Sequence, residues 1–201
     1  MGVYKLSAAG GLATPRTNYS SFLAGNPAVT FSNFESIATV TVGSGGAPEV
    51  EFTSIPSTYT HLQIRAIVRS NRNTGDTLNV RFNSDTSSSY ARHGLYGNGS
   101  STGAVGGTSE TQMQEWDNIA DNSMTANVFA GGIMDILDYA NTNKYKTVRS
   151  LQGTDVNGSG HIYLASGLWA NTSAITSIKF YVAYGTGVMQ YTQFALYGVK
   201  S

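Results

Sequence analysis

The chain has 201 residues, 12 of them Lys or Arg and 12 Asp or Glu, so its formal net charge is zero and its charged fraction is only 12%. That balance argues against nucleic acid, which needs clustered cations to displace counterions, and the absence of cysteine removes disulfides and thiolate metal sites. No run of 18 apolar residues and no basic-then-apolar leader occurs, so a soluble chain without a membrane partner is expected.

Residues 1–33 keep neither a helical nor a strand period and are broken by Gly10-Gly11, Pro15, Gly25 and Pro27. They read as an extended arm. Its apolar positions Tyr4, Leu6, Tyr19, Phe22 and Leu23, together with Arg16, are the expected contacts to a partner, because a free tail rarely offers such side chains to water.

From Phe34 onward apolar residues recur with period two, and residues 34–201 are read as one body. Ala38, Val40 and Val42, then Gly43–Gly46, then Val50 and Phe52 predict a hairpin. Strands are predicted over Leu62–Val68 and over Leu78–Phe82, the latter with Asn79 and Arg81 facing out. The Gly/Ser-rich stretch Gly94–Ser109 reads as a long surface loop, and Glu110–Asn118 as the one helical stretch. Strands are expected again in Val128–Leu137, Lys144–Gln152, His161–Trp169, Ile175–Tyr184 and Gln190–Val199.

About ten short strands with turn residues between them, and no repeat of 20 to 50 residues, predict an all-β antiparallel sandwich, with a jelly roll as the leading topology. With 23 Gly, 12 Tyr and few charges, the surface is of a kind that associates.

Chemistry finds little to stand on. His61 and His161 each sit at a strand end and read as packing or surface residues, while His93, in Tyr90-Ala-Arg-His-Gly-Leu-Tyr96, is a candidate surface contact. Asp135 and Asp138, three apart on a strand, fall on opposite faces and make no acid–base pair. Neither Asp117–Asn122 nor Asn83–Asp85 follows a calcium-loop pattern, and Val42–Gly46 is followed by a strand where a dinucleotide site needs a helix. The sequons at Asn18, Asn98, Asn157 and Asn171 are of a kind that a chain rich in Asn, Ser and Thr produces by chance. Hence no catalytic residue, metal or cofactor is expected, and no enzyme. Among the aromatics, Trp169 reads as a core or interface residue, and Trp116, between Glu115 and Asp117, as a candidate exposed contact.

Five segments carry a resemblance: Ser54–Tyr59, Arg81–Asp85, Asp138–Val148, Ser166–Trp169 with Ile175–Ile178, and Phe194–Gly198. They resemble small virion proteins of tailed bacteriophages, cyanophages included, over roughly residues 34–200. The resemblance implies a jelly-roll-like, multimeric component displayed on a capsid or tail, and it assigns no functional residue. Two roles follow as expectations. One is a capsid decoration or cement protein, trimeric, whose arm contacts itself or other virion proteins. The other is a tail fibre, spike or receptor-binding module touching host glycans.

Overall fold

The computed structural model describes residues 33–200. The predicted arm, with Tyr4, Leu6, Arg16, Tyr19, Phe22 and Leu23, lies outside the described residues apart from Asn33. The rest is an all-β antiparallel sandwich of twelve strands: β1 (Phe34–Thr41), β2 (Glu49–Phe52), β3 (His61–Val68), β4 (Asp76–Phe82), β5 (Tyr90–Gly97), β6 (Thr102–Glu110), β7 (Met113–Ile119), β8 (Ala130–Leu137), β9 (Lys146–Asp155), β10 (Gly160–Trp169), β11 (Ile178–Val182) and β12 (Gln193–Val199).

The strands form a large sheet ordered β1-β12-β3-β8-β9-β10-β5-β6 and a small one ordered β2-β11-β4-β7. The pairs β1/β12, β2/β11, β3/β8 and β4/β7 are all antiparallel, as if one long two-stranded ribbon had been laid down. Winding that ribbon sets β12 against β3 and β11 against β4. This is the jelly-roll order. Two hairpins interrupt it, β5–β6 between β4 and β7, and β9–β10 between β8 and β11, and both continue the large sheet beyond β8.

Local sequence explains the elements. In β3, Leu62, Ile64, Ala66 and Val68 point inward and are buried, opposite the inward residues of β12, Phe194 and Leu196. The β9–β10 turn has Asn157 and Gly158 at positive φ, the backbone that a tight two-residue hairpin requires. One end of the inserted hairpins is fastened by aromatics: Trp169 lies 5.6 Å from Phe82 and 6.4 Å from Tyr90, and its indole N–H donates to Asp85 at 2.7 Å.

Four expectations are corrected. The Ala38–Phe52 segment is no hairpin, because β1 joins the large sheet and β2 the small one; alternation shows which face a strand buries, but not which neighbour it takes. Gly94–Ser109 is no loop, since β6 pairs along the whole of β5, and its glycines make room: a Cβ on Gly103 would sit 2.5 Å from the Tyr96 ring. Glu110–Asn118 is no helix, because Met113–Ile119 is the edge strand β7. Asn79, expected outside, is buried along with its neighbours Leu78 and Val80.

Candidate interaction surface

Strand β9, Lys-Thr-Val-Arg-Ser-Leu-Gln-Gly-Thr-Asp, alternates strictly between buried and exposed positions. Its buried set is Lys146, Val148, Ser150, Gln152 and Thr154; its exposed set includes Leu151. The polar side chains therefore face the interior while a leucine faces water. Strand β10 adds exposed Ile162, Leu164 and Leu168 to the same outer face.

Register lines these residues up. Ile133 of β8 is opposite Leu151, Leu151 opposite Leu164, Leu164 opposite Leu95 of β5, and Leu95 opposite Ala104 of β6. With strands about 4.8 Å apart, the row runs about 19 Å across the sheet. Leu95 is 60% exposed, Leu151 49%, Leu164 48% and Ile133 42%, well beyond the scattered apolar exposure of an ordinary surface. The adjacent row reads Ile67, Gly131, Gly153, Ile162. With glycines at its centre it forms the floor of a groove of about 760 Å³ that also takes in Ile133, Leu151 and Tyr197. A second hollow, of about 370 Å³, lies over Leu95, Ala104 and Leu164.

The charges on this face are already engaged. Arg149 lies 3.5 Å from Asp135, which also accepts from the Gln63 amide at 2.9 Å. The Arg65 guanidinium lies over the stacked rings of Phe34 and Tyr197, 5.2 and 5.6 Å from their centres, and donates to Gln63. One margin of the face is the edge strand β6, which from Thr102 to Ser109 carries neither a charge nor a proline. Such an edge, interrupted only by a bulge near Ser109, invites a neighbour along its regular part.

The residues singled out from sequence fall in different places. His93 is exposed on this face, in register with Ser166 and Gly106 and bordering the second hollow. Trp116 is corrected: it is fully buried, its ring packed where a Cβ on Gly132 would meet it at 2.7 Å. Its acidic neighbour Glu115 misled, because Glu115 is itself inside, accepting from the Ser150 hydroxyl at 2.8 Å. His61 caps a strand end, its Nδ1 accepting the Asp138 backbone N–H at 3.0 Å. Asp138, beyond the end of β8, pairs with Lys144 at 2.6 Å, while Asp135 pairs with Arg149. Sequence reasoning missed the leucine row. Its signal was available in β9, where polar residues share a face with Val148 and the lone leucine takes the other.

Among the described residues no group of three or more His, Asp or Glu side chains is placed to hold a metal ion. Comparison with known proteins finds no matching family model, no similar curated protein and no matching solved structure.

Proposed function

We propose that this chain is a non-enzymatic structural subunit of a bacteriophage particle, and that it assembles by burying the outer face of its large sheet against a second copy of itself. The observation that carries the reading is the leucine row on β8, β9, β10 and β5, exposed on strands whose polar side chains are turned inward. Three further features support it. Net charge is zero, so copies do not repel one another. The face is continuous with edge strand β6, uncharged from Thr102 to Ser109, and on it Arg149 pairs with Asp135 while Arg65 lies over Phe34 and Tyr197. The jelly-roll order and the sequence resemblance to phage virion proteins fit the same role, with capsid decoration ahead of a tail-associated module.

Sedimentation of the full chain tests the assembly. The expected result is a closed oligomer, a trimer by preference, which Leu151→Asp combined with Leu164→Asp converts to a folded monomer. A monomeric wild-type chain, or an oligomer indifferent to both changes, would sink the reading. Immunogold labelling of intact phage then separates the two roles: many copies over the head for a decoration protein, a few at the tail for a fibre or spike.

A further inference from the structure

At the end of the sandwich where β5 turns into β6 and β9 into β10 lies a cleft of about 330 Å³, with Asn98, Ser100, Asn118, Thr154, Ser159 and His161 in its walls beside the apolar Met124 and Val156. The size falls within the range of ligand sites. A wider hollow of about 780 Å³ shares Asn98, Ser100, Thr154 and His161 with it and adds Asp155. His161 stands where the two meet.

The His161 ring is stacked 5.6 Å from Tyr96 and 6.3 Å from Tyr163, and its side chain is only 7% exposed. Its Nε2 has no hydrogen-bond partner, and the nearest carboxylate oxygen, Asp117 Oδ2, is 4.0 Å away, too far to accept one. An unpaired buried nitrogen is costly, and when it lines a cleft a bound molecule can supply the missing partner. The walls are held in place beforehand. Asn98 accepts backbone N–H bonds from Ser100 and Ser101 across the β5–β6 turn, and Thr154 donates to the Asn118 carbonyl at 3.3 Å. A preformed site of this kind loses little order on binding.

The lining selects the ligand class. No Lys or Arg contributes to either hollow, and the charged groups nearby, Asp117 and Asp155, repel anions. A metal ion is disfavoured too, since no three ligating side chains converge among the described residues. Hydroxyls and amides around an imidazole, with the apolar Met124 and Val156 beside them, suit a neutral molecule that carries hydroxyl groups on an apolar ring. We propose that this cleft is a saccharide-binding site, in which a sugar hydroxyl bonds His161 Nε2 and neighbouring hydroxyls meet the Ser100, Asn118 and Ser159 side chains. Burial holds the His161 imidazole below its ordinary pKa against the opposing pull of Asp117, so near neutrality it is uncharged and able to donate or accept. The cleft is at a loop end of the sandwich, and none of its wall residues belongs to the groove of the assembly face.

Titration of the isotope-labelled full chain with glucose, galactose and N-acetylglucosamine, followed by amide NMR, tests the site. Saturable shifts confined to the Tyr96–Ser101 and Asn157–His161 segments are expected with at least one sugar, at a Kd near ~1 mM. His161→Phe keeps the ring stack and removes Nε2, and should weaken binding about tenfold, the equivalent of ~1.4 kcal/mol. Ser159→Leu, on an exposed turn where the fold is tolerant, should block the mouth. Glucose 6-phosphate should bind more weakly than glucose. Absence of shifts with all three sugars, undiminished binding by both variants, or preference for the phosphorylated sugar would each overturn the proposal.

Discussion

The two halves of the large sheet obey opposite rules. In the wound half, β3 places Leu62, Ile64, Ala66 and Val68 inside and Gln63 and Arg65 outside, as a sheet with one wet face should. In the inserted half, β9 places Ser150, Gln152, Thr154 and even Lys146 inside and Leu151 outside. The difference teaches that the wound half keeps its inner face apolar, whereas the inserted half mixes polar side chains of β9 with the buried aromatics Tyr90, Tyr163 and Trp169 and leaves Leu95, Leu151 and Leu164 on its outer face. Buried polar groups there are accommodated one by one. Lys146, fully buried, donates to the carbonyls of Asn141, Lys144 and Thr172 at 2.7 to 3.1 Å. Glu115 accepts from Ser150 but leaves Oε1 without a partner.

The contrast can be pressed hardest in the wound half. Phe194 on β12 is fully buried and stacked 4.6 Å from Phe180 across the sandwich. Phe194→Ala should cost about 4 kcal/mol in urea unfolding; a cost below about 1 kcal/mol would mean that this half is not the rigid core described.

On β7 of the small sheet, facing the inserted half, a substitution should stabilise. Burial pushes the Glu115 carboxyl up to about 7, outweighing the Ser150 hydroxyl and the Arg92 guanidinium, which act to lower it. A carboxyl whose pKa is raised in the folded state contributes stability that is complete at pH below its ordinary value and is lost as pH climbs through the folded pKa. The chain should therefore weaken from about pH 4.5 upward and level off above about pH 7. Glu115→Gln should flatten that profile and gain about 3 kcal/mol at pH 8, with little change at pH 4. An unaltered pH–stability curve in the variant would show that Glu115 does not control it.

Lys146→Met sharpens the same comparison by taking the donor away from the carbonyls of Asn141, Lys144 and Thr172. A loss of about 2 kcal/mol is expected by thermal or urea melting. A neutral result would make the lysine a bystander.

The smallest effect on folding belongs to the outer face. Leu164→Thr should leave the stability of the monomer within about 0.5 kcal/mol while raising the dissociation constant of the oligomer, read by sedimentation over a concentration series. A large loss of monomer stability would reassign Leu164 to the core.

Much of the wound half was legible because apolar residues recur at alternate positions. In Leu62–Val68 this reports burial on one side; Leu78–Phe82 and Gln190–Val199 also lie on or over observed strands, although both their faces are partly buried. Partners were not legible, as with β1 and β2, since pairing is decided by winding and not by the local pattern. Strand β6 escaped because its glycines, elsewhere turn residues, here clear space for Tyr96 and Glu110 side chains. Strand β7 escaped because Glu115 and Asp117 around Trp116 imitate a wet surface, while desolvation and the Ser150 contact put Glu115 inside. The same inversion hid the leucine row. Of the two candidate contact residues, His93 lies exposed at a strand position beside glycines, and Trp116 is buried.

The last strand, β12, is a wedge between β1 and β3, and this has a consequence for how the molecule comes into being. Until residues 193–199 leave the ribosome, β1 has no neighbour and β3 has only β8. Contacts spanning that much sequence close slowly. Nascent chains should thus carry an open sheet edge and a bare leucine row together, and the interval before β12 docks is when copies crowded on one messenger are most prone to associate wrongly.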